Sequence, residues 1–362
     1  MSAMRAVVVG TSFGARVHVP ALRAAGIEVA ALVGRDPQRT GARAAALGIG
    51  IAATRLSDAL DRAGDARLVT VATPPDSHVE PVLEAIAAGA HVLCEKPFAL
   101  TAADAASMAE AAERAGVVAL LGCEFRWAAD EALAARVIRS GALGEPRVAT
   151  MIQHSSLVAT GLHGAFNEEW WFDAARGGGI LNAGGIHYID RFRTWLGEIV
   201  AVSARLQVAG PRSPEAAEDT YTVQLRFASG CTGLIQHCAA ARGAPTRLCR
   251  VIGDRGSVWL EGGQVWLAGD APPRPLDIPG DLGLPDPPAA SDDPKHAFTA
   301  IELPPYTRLA ERWRDLIEGR PVDPAAPATP TFADGLHDQL VIAAVRASSA
   351  ADGAWVDVAP AR

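Results

Sequence analysis

Lysine is nearly absent from this chain. Of 33 basic side chains only Lys96 and Lys295 are lysines; the other 31 are arginines. Arginine keeps its proton in a protein, whereas a partly desolvated lysine titrates and can act as an acid or base. A lysine kept where arginine is the habit is therefore a candidate for chemistry. Lys96 also closes an apolar run, His91-Val-Leu-Cys-Glu95-Lys96-Pro97. The plainer reading is a surviving surface lysine paired with Glu95. Cysteine is scarce too: five thiols form no CxxC pair and no Cys/His cluster of zinc spacing. That excludes a disulfide framework and a zinc module, and suits a reducing compartment. Positive charge does not prevail, with a net charge of −8 and a pI of about 5.6, which argues against nucleic acid or an anionic membrane as partner. No apolar run is long enough to span a bilayer, and no long apolar segment precedes the first strand, so a cytoplasmic location is expected.

What is present is patterned. A chain of 362 residues has room for two ordinary domains or one very large one. Residues 4–10 form a β-branched apolar run of the kind buried on both faces of a parallel sheet. Gly10-Thr-Ser12-Phe13-Gly14-Ala15-Arg16 follows, then a helical pattern through Val17, Ala21, Leu22 and Ala25. Strand, glycine turn and helix together are the setting in which a dinucleotide fingerprint has meaning, with the first helical N–H groups aimed at a pyrophosphate. Ser12 stands at the second glycine position and Ala15 at the third; Ser12 is small and carries its own donor. Strands and helices then alternate to about residue 122. Asp36-Pro37 opens one helix, Asp76 or Ser77 caps another, and Thr101 opens a third. This predicts a doubly wound parallel sheet, with ligands beyond the carboxyl ends of its strands. Gly10–Ala15, Gly34-Arg35, Thr73–Ser77 and Lys96 all fall at such ends.

The second strand end selects the cofactor. An NAD site usually places an acid there to hold both ribose hydroxyls, whereas a 2′-phosphate calls for arginine. Arg35 occupies the position and Asp36 is spent as a cap, which favours NADP(H), with NAD(H) as the alternative. Arg35 stacked on adenine without reading the phosphate is the competing role.

Thr73-Pro74-Pro75-Asp76-Ser77-His78, followed by Ala88-Gly-Ala-His-Val-Leu-Cys-Glu-Lys-Pro97, resembles the Gfo/Idh/MocA family of NAD(P)-dependent oxidoreductases. The resemblance runs over nearly the whole chain and includes a later Gly-Gly…Gly…His…Asp run. It implies an N-terminal Rossmann domain, placed at residues 1–123, and a C-terminal α/β domain at 124–362 with a large open, mostly antiparallel sheet. It also implies that Lys96 and His187 line the substrate site, that the Lys-Pro bond is often cis, and that the turn residues Thr73, Pro74, His78 and Glu95 border the cofactor. Arg126 is carried over beside the nicotinamide, although Glu124 stands where the family has Asn or a similar residue. Family members often cover the open sheet by pairing it with another copy, so a homodimer or homotetramer is expected.

Beyond residue 123, Glu168–Arg176 is aromatic and acidic; Trp171 offers a face for a sugar, though paired tryptophans are more often structural. The glycine-rich segment from Gly177 leads through Asn182 to His187 and Asp190, one helical turn apart. His187 is a general-base candidate because its pKa lies near neutrality, the bland alternative being a hydrogen-bonded core histidine. Many family members carry an Asp four residues before this His; here it is Ala183. Glu124, Glu169 or Asp173 are the carboxylates left to assist. Residues 269–294, with eight prolines, read as an irregular arm or lid. The function expected is hydride transfer between a nicotinamide and the carbinol or carbonyl carbon of a sugar, polyol or cyclitol, with no metal required. Two rivals are a catalytically silent cofactor-and-sugar sensor, prompted by Ala183 and Glu124, and a reductase for an imine or enone.

Overall fold

The computed structural model describes residues 4–161, 169–210, 213, 216–293 and 296–360. Lys295, Glu168 and Pro294 lie outside the described residues. Contacts divide the chain into two units: Met1–Trp127 with Leu284–Pro324 and Thr329–Leu336, and Ala128–Gly283 with Ala325–Ala328 and His337–Arg362. The expected single cut after residue 123 is thus corrected. Segments 284–324 and 329–336 return to the first unit, which nothing local in their composition announces.

The first unit is built on six parallel strands: β1 (Arg5–Val9), β2 (Glu28–Val33), β3 (Ile51–Ala53), β4 (Leu68–Val71), β5 (His91–Cys94) and β6 (Ala119–Leu121). Their order is β3-β2-β1-β4-β5-β6, so the strand order reverses between β1 and β4. Every residue of β4 is buried, as expected of a strand covered on both faces. The connecting helices are α1 (Val19–Ala24), α2 (Pro37–Ala46), α3 (Leu56–Ala63), α4 (Val79–Ala87) and α5 (Ala102–Ala115). A single π-helical turn, Gly14–His18, leads into α1. Asp36 caps α2 by accepting from Arg39 N at 2.8 Å, and Thr101 caps α5 through Asp104 N at 3.1 Å. Of the two residues expected to cap α4, Asp76 and Ser77, Ser77 is turned elsewhere. Pro75–Ser77 forms a 3-10 turn that runs on into α4, and Ser77 Oγ donates instead to Pro74 O at 2.9 Å.

In the second unit α6 (Ala129–Arg139) and α7 (Ile186–Leu196) join a nine-stranded sheet. Its strands are β7 (Pro146–His154), β8 (Ile199–Gln207), β9 (Thr220–Phe227), β10 (Thr232–Cys238), β11 (Thr246–Gly253), β12 (Ser257–Glu261), β13 (Gln264–Ala268), β14 (Arg274–Leu276) and β15 (Val356–Asp357). The order is β14-β13-β12-β11-β7-β10-β9-β8-β15, with β7 and β10 the parallel pair and the other pairings antiparallel. Alternation sorts its faces: Ala149, Met151, Cys249, Val251, Val258 and Leu260 enter the core, while Val148, Arg250, Ile252 and Trp259 point the other way. The proline-rich stretch is partly built into this sheet, because Arg274–Leu276 pairs with β13 and Leu282 is buried.

Helix α8 (Thr299–Ile317) belongs to the first unit, and α9 (Phe332–Ala350) follows. Pro304 and Pro305 would ordinarily mark a helix boundary. The helix nonetheless runs through both prolines. It buries Tyr306, Leu309, Ala310 and Trp313 at i, i+3, i+4 and i+7, and Trp313 Nε1 donates to Val118 O at 3.2 Å.

Candidate active site

At the reversal point in the first unit, Gly10 carries φ +124°, and a Cβ there would lie 2.2 Å from Ala72 O. Only glycine fits so close to the end of β4. Gly14 is buried, Ser12 is exposed, and Phe13 and Ala15 are half-buried. The Phe13 ring meets those of His18 and Tyr306 edge-on, at 5.5 and 6.0 Å between centroids. The first amides after β1 therefore stand where a pyrophosphate would sit against a Rossmann turn. Arg35 is exposed at the end of β2. The residues present fit a dinucleotide.

The turn after β4 is held by His78. Its ring is fully buried, with Nδ1 3.1 Å from Phe98 O and Nε2 2.7 Å from Thr73 O. Burial pushes the His78 pKa down, against the pull of the two carbonyls. With both nitrogens taken, His78 pins the turn that presents half-buried Thr73 and Pro74.

Beyond β5 the Lys96-Pro97 bond is cis. Glu95 is buried, and its Oε1 accepts from Tyr306 Oη at 2.8 Å and lies 3.0 Å from His18 Nε2. Sequence reasoning placed Glu95 against the cofactor; in the structure this oxygen is engaged by the protein itself. His18 and Tyr306 were not foreseen. Lys96 is half-buried. Beyond β6, Glu124 is 2 % exposed and its Oε2 has no hydrogen-bond partner among the described residues. Arg126, one turn on, is ion-paired with Asp334 at 3.2 Å.

The second unit holds the remaining candidates. His187 is buried on the first turn of α7. The residues before it, Leu181–Gly185, make a π-helical turn containing Asn182, whose Nδ2 donates to Gly177 O at 2.7 Å and whose buried Oδ1 has no partner among the described residues. The glycine tract approaches the chain itself. A Cβ on Gly178 would lie 2.3 Å from Trp170 O, and one on Gly179, at φ +110°, 2.0 Å from Glu218 Oε1. Glu218, missed from sequence, accepts from Leu181 N at 3.1 Å and so fixes the approach to His187. Trp171 is half-buried, edge-on to Trp170 at 6.4 Å. Asp173 is exposed and spent in capping Ala175 N at 3.0 Å.

Residues 4–123 match the oxidoreductase family with an NAD-binding Rossmann fold (GFO/IDH/MocA), and residues 132–259 match that family's C-terminal domain. The chain is 33% identical over 265 residues to D-apiose dehydrogenase from Paraburkholderia graminis, covering 70% of this chain and 66% of that one. It is 32% identical over 253 residues to 1,5-anhydro-D-fructose reductase from Ensifer adhaerens, covering 69% and 74%. The solved structure of levoglucosan dehydrogenase in complex with NADH and L-sorbose shares the fold, with a TM-score of 0.83 at 23% identity over 100% of both chains. The chain belongs to the GFO/IDH/MocA family and is an NAD(P)-dependent oxidoreductase. Among the described residues no helix is long and apolar enough to cross a membrane.

Proposed function

We propose that the protein transfers a hydride between NADP(H) and the carbinol or carbonyl carbon of a sugar, polyol or cyclitol. The observation that carries this reading is Lys96 at the carboxyl end of β5, on the strand-end edge where an NAD-binding fold takes its ligand. The nicotinamide, when bound, supplies the hydride acceptor or donor. Lys96 hydrogen-bonds the reacting oxygen and stabilises the charge developing on it. His187 hydrogen-bonds and orients the reacting hydroxyl, and Asn182 and Trp171 hold the substrate. The names of the relatives, which act on apiose and anhydrofructose, support the substrate class. Asp36, spent on Arg39 N, and exposed Arg35 support NADP over NAD.

The test is a panel of D-apiose, 1,5-anhydro-D-fructose and levoglucosan, each with both cofactors. Turnover of at least one sugar is expected, with tighter binding of NADP than NAD. Arg35→Ala should weaken NADP binding about tenfold and spare NAD. Lys96→Met should bind cofactor normally and lose turnover by about a hundredfold or more; turnover at the wild-type level in that variant would sink the reading.

A second copy is proposed to cover the outer face of the large sheet. There Val148 and Ile252 are exposed, Trp259 and Trp266 stack at 6.0 Å, and the Arg250 guanidinium lies 4.8 Å from the Trp259 ring centre. Sedimentation of the wild type and of an Ile252→Asp variant tests it: an oligomer is expected only in the former.

A further inference from the structure

We propose that Glu124 is the proton store behind Lys96, a positioning residue that exchanges a proton with the reacting oxygen of the substrate through the Lys96 ammonium. The inference rests on the placement of Lys96 proposed above. An ammonium has three donors and no lone pair, so a charged lysine cannot by itself take up the proton that an alcohol releases on oxidation. It needs an acceptor behind it, and the topology supplies one. Strands β5 and β6 are neighbours in parallel register, with Cys94 opposite Leu121. Lys96 follows the first by two residues and Glu124 the second by three, so both leave the same edge of the sheet.

The nearby carboxyl groups are not equivalent. Glu95 is pinned by Tyr306 and His18, and sits so near Gly122 that a Cβ there would be 2.4 Å from Glu95 Oε1. Glu302 on α8 faces Arg16 of the first helical turn at 3.9 Å, and Asp334 takes Arg126. Glu124 is the most deeply buried of the four, at 2 % exposed, and its Oε2 has no hydrogen-bond partner among the described residues. The titratable groups that act on it are Lys96 and Glu95 at the exit of β5 and Glu302 on α8, and Tyr306 of α8 is acted on by it in turn. Burial lifts the Glu124 pKa well above the usual carboxylate range. Lys96 pulls against that lift, and Glu95 and Glu302 add to it.

In the oxidation direction the substrate O–H bond breaks and its proton passes to Lys96 Nζ, as one Lys96 proton passes to the Glu124 carboxylate. The hydride leaves the same carbon for the nicotinamide, and a C=O bond forms. Lys96 begins and ends as an ammonium, while Glu124 begins ionised, ends neutral and releases its proton between turnovers. Reduction runs the steps in reverse. No carboxylate at position 183 is required.

Infrared difference titration reads Glu124 without a substrate. The wild type should show a carboxylic C=O band persisting above the ordinary carboxylate range. The band should be absent from Glu124→Gln and persist to higher pH in Lys96→Met, where the opposing charge is gone. With the sugar of the three that turns over fastest, oxidation by the wild type should rise with pH along a limb that Glu124→Gln lacks. That variant should lose about ten- to a hundredfold in kcat, with the KM for NADP little changed. Absence of the band, a band indifferent to Lys96→Met, or a wild-type pH profile in Glu124→Gln would each overturn the proposal. Full turnover in Lys96→Met defeats the reading of Lys96 itself, which the infrared arms keep separate from the Lys96–Glu124 coupling.

Discussion

Two buried acids, Glu131 in the second unit and Glu124 in the first, are handled in opposite ways. Glu131 has a guanidinium: Arg191 grips it through both oxygens, with Nε to Oε2 at 2.9 Å. Burial works against the Arg191 charge, but the Glu131 carboxylate outweighs it and the pKa moves up. Arg247, half-exposed, donates a further bond to Glu131 at 3.1 Å. In the first unit Glu124 is equally buried and keeps an oxygen without such a partner, next to the chain's one described lysine. The forked arginine completes a carboxylate and makes it inert, whereas a lysine leaves room for a proton to move. A buried acid that is fully paired is architecture; one left incompletely paired in a cleft is a candidate for chemistry.

The largest effect should come from breaking the paired side. Arg191→Met strands a buried carboxylate and should cost about 3–5 kcal/mol of stability, read by denaturant unfolding. A loss below about 1 kcal/mol, within the range of an exposed pair, would mean that Glu131 finds protonation or Arg247 an adequate substitute, and the contrast between the units would fall.

How much of this was readable beforehand follows from how local each signal is. The turn at Gly10, the caps at Asp36 and Thr101, and the strand ending at Lys96 are written in adjacent residues, and the structure places them as the spacing implied. The engagement of Glu95 was not readable. Its partners His18 and Tyr306 lie 77 and 211 residues away, and a histidine or tyrosine on a helix face looks the same in sequence whichever way it points. The prolines of α8 lie inside a helix for a physical reason. Proline opposes helix interiors in general, but here a tightly buried face, Tyr306 to Trp313, outweighs the local preference. His78 carried a motif position, but its hold on two carbonyls is something no spacing announces. The role of Glu218 beside the glycine tract was equally invisible. Ala183 and Glu124, by contrast, were visible as departures from the family pattern, and one of them is where the structure leaves a polar atom unsatisfied.

The pH dependence of stability sharpens the unpaired side. Glu124 has a folded pKa raised above its unfolded value, chiefly by burial. The folded state therefore binds the proton more tightly than the unfolded one. Its contribution is most favourable below the unfolded pKa and is lost as pH rises toward the folded value. Glu124→Gln removes that dependence, so the variant should gain on the wild type steadily from mildly acidic to alkaline pH. Denaturant midpoints measured across that range check it, and parallel curves for the two proteins would show that Glu124 does not carry its proton into the fold.

The smallest effect belongs to the control. Glu110 and Arg114 form an exposed i,i+4 pair at 3.1 Å on α5, with relative side-chain exposures of 57% and 69%. In water such a pair gains little Coulomb energy and gives up side-chain freedom. Arg114→Ala should change stability by no more than about 0.5 kcal/mol and leave turnover untouched, as calorimetry and the sugar assay would show. Were it to cost as much as Arg191→Met, burial would not be what separates a structural ion pair from a decorative one, and the reading of Glu124 as a group set apart by its surroundings would lose its footing.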